Sequence, residues 1–484
     1  MSSDRAAPAR KEAEMLFEAN YCMSIGGKLV PGTATLQVVN PASGRPFAAA
    51  PNCTAEQLNQ AVEAAQAAYP AWKARDIRER QDLLRQAADL LETHAAELAR
   101  LFTREQGRPT PGALAEVGIA IAWLRAYAQM SPPVHVVDKG DGQWVETRYV
   151  PLGVVGAISP WNFPINLAIW KIAPALLAGN TIVVKPSPYT PLCLLKIGEL
   201  LGQIFPAGVL NVISGDDELG PRMTAHPGFA KISFTGSTAT GKKVLEAAAR
   251  DLKRVTLELG GNDAAIVLPD VNVDEVAARI FYGAFFNSAQ ICIATKRLYI
   301  HEAIYERLRD KLLEIARATK VGDGAEQDTH LGPIQNLRQF ERVRALLKDA
   351  KAHGLTLLEG APVPSEGYFI PVTLIDNPPD DSRVVREEAF GPVLPLLKFN
   401  NVDEAVARAN DSEYGLAGAV WATDIELAKS VARRLETGTV WINQNLLLRP
   451  DVPFAGHKQS GFGVENGIEG LLEYMAPQAI YIPK

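Results

Sequence analysis

The sequence predicts an α/β protein built on parallel sheets, and three observations predict it. From Gly153 onward, short apolar runs alternate with helical stretches. The helices between those runs have the length that βαβ units use. The 484 residues exceed what one hydrophobic core uses, which favours two or three domains. Hydrophobic residues make up 47% and charged residues 21%, the balance of a soluble globular chain and not of a disordered one.

In chain order, a short extended piece, Gly32 to Asn40, opens the first hundred residues, which then turn helical. Thr54 and Gln57 have capping-box spacing, and Leu58, Val62 and Ala65 continue an apolar stripe. A second helix is predicted over 77–106, with Leu83, Leu84, Ala87, Leu90 and Leu91 on one face. Ser131 to Glu146, which begins with Pro132 and Pro133, reads as a break before an extended piece at 147–150. Strands are predicted at 154–158, 181–185, 210–214, 231–235 and 255–259, with helices such as 191–203 between them. A further α/β stretch carries strands at 264–268 and 296–300 and helices at 304–319 and 336–353.

Several function classes are disfavoured. The N-terminal segment MSSDRAAPARKEAEM is charged and lacks the apolar centre of a signal peptide. The most apolar stretch, 165–184, is broken by Lys171, Pro174, Gly179 and Asn180, so it fails as a membrane span. A net charge of -6 with interspersed signs, and no long basic run, argues against a nucleic-acid partner. Four cysteines without CxxC spacing make neither a disulfide framework nor a metal set. The expectation is a cytoplasmic protein with free thiols, no metal and no membrane partner.

Two segments carry candidate chemistry. The run SFTGSTATGKKVLEAAA, from Ser233, passes from a strand into a helix. Gly236 permits a tight turn, Ser237 or Thr238 can cap the helix, and its N-terminal amides suit a pyrophosphate. The spacing Gly236…Gly241-Lys242 approaches a P-loop, but Lys243 stands where a Ser/Thr would hold magnesium, and no GxGxxG occurs. By itself the segment also fits an ordinary strand-to-helix turn. The second segment is FFNSAQICIATKR, where Cys292 has the polar neighbours Asn287, Ser288, Gln290 and Thr295 directly before a strand. A reactive thiol needs a lowered pKa or a nearby base. Cys22, Cys53 and Cys193 lack such a setting and read as buried or incidental thiols. No GxSxG or Cys/His signature supports a hydrolytic triad.

Seven segments in order resemble the aldehyde dehydrogenase superfamily: PWNFP (160–164), KPSPYTP (185–191), FTGST (234–238), LELGGN (257–262), AQIC ending at Cys292, EEAFGPV (387–393) and PFAGHKQSGFG (453–463). The resemblance implies two Rossmann-like α/β domains plus a small β oligomerisation element. The cofactor domain would be built from 1–130 and 148–258 and the catalytic domain from 259–455. The bridging element would join 131–147 to 470–484, near a C-terminal strand at Ala479–Ile482. It further implies that Cys292 attacks the aldehyde to give a thiohemiacetal, with Asn162 and the Cys292 amide binding the oxyanion. Hydride passes to the nicotinamide, and Glu258 activates the water that hydrolyses the thioester. Such an oxyanion donor is typically worth about 3–4 kcal/mol.

For the dinucleotide, the resemblance implies Lys185 at ribose hydroxyls, Glu388 at the nicotinamide ribose and Phe390 near the nicotinamide. Gly236 and Ser237 would lie at the pyrophosphate, with Ser159, Trp161 and Leu259 completing the site. Family members preferring NAD often carry a glutamate three residues beyond the lysine; here that position is Pro188, so NAD is expected with NADP open. Phe163, Trp170, Ile291, Ile293, Leu448 and Phe454 are positioned to line a substrate tunnel, which favours hydrophobic aldehydes. Arg449 could meet a substrate carboxylate or pair with Asp451. The expected assembly is a homodimer or homotetramer. The competing readings are a CoA-acylating dehydrogenase, against which LELGG counts, a cysteine hydrolase or acyltransferase without nicotinamide, and a silent paralogue.

Overall fold

The computed structural model describes residue 17, residues 20–138 and residues 143–483. The charged N-terminal segment and residues 139–142 of the expected break lie outside the described residues. The larger sheet has eight strands among the described residues. Their spatial order is Lys28–Val30, Met23–Ile25, Leu210–Val212, Thr181–Lys185, Val154–Ile158, Lys231–Thr235, Arg254–Glu258 and Gly461–Phe462. The five strands from Leu210–Val212 to Arg254–Glu258 run parallel. Nearly every position of these strands is buried, and the two central runs, VVGAI and TIVVK, are almost continuously apolar. Helix Pro164–Ala178 is buried along its whole length and carries no polar stripe at all.

The second sheet orders Thr356–Glu359, Thr373–Asp376, Val393–Phe399, Arg297–His301, Ala264–Val267, Ala417–Trp421 and Thr439–Ile442. A third, three-stranded sheet pairs Met475–Pro483 with Gln143–Pro151, and the latter with His135–Asp138. Ala479 to Ile482 lie opposite Thr147 to Trp144.

The registers bring one set of strand ends together. Ile158 pairs with Lys185 and, on its other side, Phe234; Thr235 pairs with Glu258. The segments after these strands therefore leave the same carboxyl edge of the sheet, where open α/β sheets bind ligands. From Glu258 the chain needs only Leu259 to Asp263 to reach Ala264, the first residue of a strand in the second sheet. Ala264 pairs with Arg297, so the loop before Arg297, which contains Cys292, faces the same gap.

Several elements depart from the expectation. The helix predicted over 77–106 is two, Ile77–Thr93 and Ala95–Gln106, broken at His94 (φ -106°, ψ 15°). Each half has its own buried stripe, Leu84, Ala87 and Leu91 in the first and Leu98, Leu101 and Phe102 in the second, so the periodicity reads through the break. The Thr54–Gln57 capping box is present in both directions, at 3.1 and 3.0 Å. Helix Thr110–Tyr127 lacks a marked apolar stripe, which left it illegible. Strand Gln143–Pro151 starts earlier than the extended piece expected at 147–150, because its partners are distant in sequence.

Gly461 is required where the last strand of the larger sheet meets Glu258. A Cβ there would lie 2.8 Å from the Leu257 carbonyl oxygen and 3.2 Å from the Gly456 nitrogen, backbone atoms that cannot swing aside. Gly461→Ala is expected to cost about 1–3 kcal/mol in denaturant unfolding. An unchanged midpoint would show that this strand floats.

Candidate active site

A cleft of about 840 Å³ opens along the carboxyl edge of the larger sheet. Ser159, Trp161, Lys185, Gly236, Ser237, Leu259, Glu388 and Phe390 all line it, together with Asn162, Glu258 and Cys292. Each comes from a strand end or from the second sheet's facing loops, which is why Ser159 and Phe390, 231 positions apart in sequence, converge.

Glu258 ends its strand fully enclosed. Burial pushes its carboxyl up to about 8, and the Glu465 carboxylate pushes the same way, while the Cys292 thiol and Lys171 pull it down. Neither carboxyl oxygen holds a hydrogen bond of ordinary geometry among the described residues. The Cys292 thiol is raised well above the usual thiol range, first by burial and then by the Glu258 carboxylate, with Lys296 opposing. Cys292 is only partly exposed and reaches the cleft at its floor. Lys296 Nζ donates to the Cys292 carbonyl and lies 3.3 Å from Glu388.

The backbone that presents Cys292 is unusual. Asn287, Ser288 and Ala289 all have φ between 54° and 60°, three consecutive left-handed residues without a glycine. Such residues persist only where surrounding bonds over-determine them. Ser288 Oγ donates to Gly332 O at 2.7 Å. Gln290 Nε2 donates to Asn287 O and Pro333 O, and its Oε1 accepts from Gln335 N at 2.8 Å. Asn162 Nδ2 donates to Gln290 O at 3.0 Å, which fixes the amide beside the same loop. No hydrogen bond engages the Cys292 amide among the described residues.

The Gly260–Gly261 pair has a reason inside the fold. A Cβ on Gly260 would lie 2.6 Å from Glu388 Oε2, and one on Gly261 would lie 2.8 Å from the Cys292 carbonyl oxygen. The glycines let Glu388 and the cysteine loop close onto the strand end. Glu388 Oε1 also accepts from Gly261 N at 3.1 Å.

The cleft fits a dinucleotide. Helix Thr238–Ala249 points its N-terminus into it, capped by Ser237, which accepts from Thr240 N at 3.3 Å. Among the described residues Ser159 Oγ is buried without a hydrogen-bond partner, and Lys185 Nζ reaches only Pro186 O, at 3.4 Å. Burial lowers Lys185 to about 8, while Asp217 and then Asp216 raise it. Trp161 and Phe390 meet edge to face at 5.3 Å along one wall.

The six residues expected around a tunnel lie elsewhere, and none lines this cleft. Trp170 and Phe454 are buried and meet edge to face at 5.7 Å, and Trp123 stacks on Trp170 at 5.6 Å. Ile291 and Ile293 are buried beside Cys292, whereas Phe163 and Leu448 are half-buried. Arg449 pairs bidentately with Asp451 at 2.9 and 2.7 Å, an exposed pair of little energetic weight. Sequence reasoning missed Arg108, Glu116, Lys171 and Glu465, all buried near the site. Lys171 bonds Glu465 at 2.6 Å and Thr235 at 2.8 Å. A charged residue inside an otherwise apolar helix was the available signal for Lys171. Among the described residues no helix is long and apolar enough to cross a membrane, and no His/Cys/Asp/Glu group could hold a metal.

Residues 30–480 match the model of the aldehyde dehydrogenase family. The chain is 41% identical over 463 residues to the aldehyde dehydrogenase LUC3 of a Fusarium species, covering 95% of this chain and 98% of that one. It is 39% identical to the phenylacetaldehyde dehydrogenase of Pseudomonas fluorescens, covering 95% of each. Among solved structures, the NAD+ complex of an aldehyde dehydrogenase from Bacillus cereus superposes with a TM-score of 0.94 at 36% identity, covering 98% of each chain.

The coupling of the buried thiol and carboxyl has a measurable consequence. Because an ionised Glu258 raises the Cys292 pKa, Glu258→Gln is expected to move the pH profile of Cys292 alkylation by iodoacetamide to lower pH. A profile unmoved by the substitution would mean the two groups do not sense each other.

Proposed function

Because the chain belongs to the aldehyde dehydrogenase family, we propose that Cys292 attacks the aldehyde carbonyl carbon, that Asn162 and the Cys292 amide hold the oxyanion, and that Glu258 activates the water that releases the acid. The chain is an NAD(P)-linked oxidoreductase acting on aldehydes. The observation that carries the residue assignments is the convergence of Glu258, from a strand end, and Cys292, from the loop before Arg297–His301, on one cleft that Asn162 also lines.

When bound, NAD(P)+ supplies the oxidant for the aldehyde carbon. The chain's own groups do the rest. Glu258 takes the thiol proton and passes it to solvent as the Cys292 sulfur adds, making a C–S bond and an alkoxide that the Asn162 amide and the Cys292 N–H would stabilise; pre-set donors are worth more in a dry site than in water. After oxidation Cys292 is acylated. A carboxyl lifted to about 8 is a competent base near neutral pH, so Glu258 takes a proton from water as the water adds to the acyl carbon. The thiol then leaves and the carboxylic acid departs. On the cofactor side, Ser159 and Lys185 offer donors to ribose hydroxyls, and the helix starting at Thr238 offers amides to the pyrophosphate. Glu388 accepts from the second ribose, while Leu259, Phe390 and Trp161 supply apolar walls.

A hydrophobic aldehyde is supported by the Pseudomonas fluorescens relative, named a phenylacetaldehyde dehydrogenase, and by the apolar Ile291 and Ile293 that flank Cys292 in the chain. The Glu258-bearing strand end disfavours transfer to CoA, and NAD(P) dependence disfavours a plain cysteine hydrolase. We assign 1–130 and 148–258 to cofactor binding, 259–455 to catalysis, and 131–147 with 470–484 to a bridging element. Val136, Tyr481 and Ile482 are exposed on that element's sheet, which supports cover by a second copy in a dimer or tetramer. Four free cysteines support a reducing, cytoplasmic setting.

NAD is the preferred cofactor in this reading. Pro188 offers no acceptor, but Asp217 lines the same cleft and is the carboxylate that acts most strongly on Lys185. Asp216 is already engaged by Asn52 at 3.1 Å, so Asp217 is the acid left to accept from a ribose and repel a 2′-phosphate.

Two outcomes test these assignments. Cys292→Ala is expected to lower NAD(P)H formation on the order of 10³-fold or more while cofactor affinity stays near parent. Glu258→Gln is expected to give one burst of NAD(P)H and then stall; wild-type steady-state turnover in either variant refutes the assignment. Separately, Asp217→Ala is expected to narrow the ratio of NADP to NAD dissociation constants, measured by fluorescence titration. If NADP already binds the parent protein more tightly, the cofactor preference is reversed.

A further inference from the structure

Arg108 lies on no expected site list, does not line the cleft, and is enclosed to 2% exposure. Its guanidinium nevertheless bonds both the segment that holds Asn162 and the loop that leads to Cys292. Nε donates to Asn287 Oδ1 at 2.9 Å, at the head of the left-handed run. Nη2 donates to the Asn162 carbonyl at 2.5 Å, and Nη1 to Glu116 Oε2 at 2.5 Å. The plane of the group is packed among three rings, Phe163 at 4.0 Å, Phe102 at 5.0 Å and Phe286 at 5.8 Å.

Glu116 extends the frame by one more step. Its Oε1 accepts from Ile165 N at 3.0 Å and Asn166 N at 3.1 Å, the orphan amides at the start of helix Pro164–Ala178. Phe163, at the N-cap position, provides no side-chain cap, so a carboxylate from another helix does so. The segment holding Asn162 is thus fixed from both ends, by Arg108 at its carbonyl and by Glu116 just beyond it. Asn287 closes the ring, because its Nδ2 donates to Asn162 O and Gln290 O, both at 3.3 Å.

We propose that Arg108 is a positioning residue for the catalytic step: its planar fork sets the distance between the Asn162 amide and the Cys292 loop. The inference rests on the roles assigned to Cys292 and Asn162 under the proposed function. A lysine can keep the charge pair with Glu116 but has no rigid fork to bridge Asn287 and the Asn162 carbonyl at once. The lost bridge frees the oxyanion donor to move relative to the sulfur, and a shift of about 1 Å costs on the order of 10²-fold in rate. Lys185, Gly236, Ser237, Leu259, Glu388 and Phe390 lie on segments that Arg108 does not bond, so most cofactor contacts are retained.

The test compares Arg108→Lys with the parent in rapid-mixing measurements of the NAD(P)H burst, alongside cofactor affinity by fluorescence titration. The burst rate constant is expected to fall roughly 100-fold with cofactor Kd within about twofold of parent. A general loosening of the fold would move both quantities together. Asn287→Gly supplies a second variant, since it tolerates the positive φ and leaves the Arg108–Glu116 pair intact; its burst is expected to slow at least tenfold. Should Arg108→Lys fail to fold, Asn287→Gly decides. A folded variant whose burst runs within twofold of parent overturns the proposal. A parent protein without any Cys292-dependent burst instead overturns the functional reading on which it stands.

Discussion

The structure depends on one short crossing. Five residues, Leu259 to Asp263, carry the chain from the carboxyl edge of one sheet to the amino edge of the next. Parallel strands leave all their following loops on one edge, and a short link forces the next sheet to present its own edge opposite. The gap between the two edges becomes the cleft. Glu258 is the last residue before the crossing, and the Cys292 loop enters the gap from the far side. The two glycines in the link follow from the same constraint, since a side chain on either would meet Glu388 or the backbone of Cys292.

Around that gap the protein buries charge. Arg108 with Glu116 and Lys171 with Glu465 are nearly inaccessible pairs within bonding distance. Taking such ions out of water costs several kcal/mol each, and apolar residues of similar volume would often be as stable. Their retention makes sense as orientation. Each bonds backbone or polar groups belonging to site segments, and each has partners on more than one element. The field from Glu465 also reaches Glu258, so the carboxyl's tuning depends on a residue 207 positions later in the chain.

The left-handed run at 287–289 belongs to the same account. Three non-glycine residues in that region are unfavourable locally; Arg108 and Gly332 bond the run itself, and Pro333 and Gln335 bond Gln290 directly after it, none of them sequence neighbours. Strain here is stored where the thiol is displayed. Cys53 and Cys193 are pushed up first by burial, as Cys292 is, but no left-handed run displays them.

What the sequence by itself determined was local. The apolar runs at 154–158 and 181–185 and the alternating β-prone run KISFT at 231–235 were legible at their true bounds, as was the Thr54 capping box. Motif order indicated the family and with it the candidates at 162, 258 and 292. Tertiary structure alone decided the rest. The break at His94, the strand beginning at Gln143 and the helix Thr110–Tyr127 take their identity from partners remote in the chain, which periodicity cannot see. Only packing could place Phe163 against Arg108, whereas the local Arg449–Asp451 pair was already one of the two readings the sequence offered. A residue's type fixes which bonds it can make, but burial and the distance to a partner fix which of them it does make.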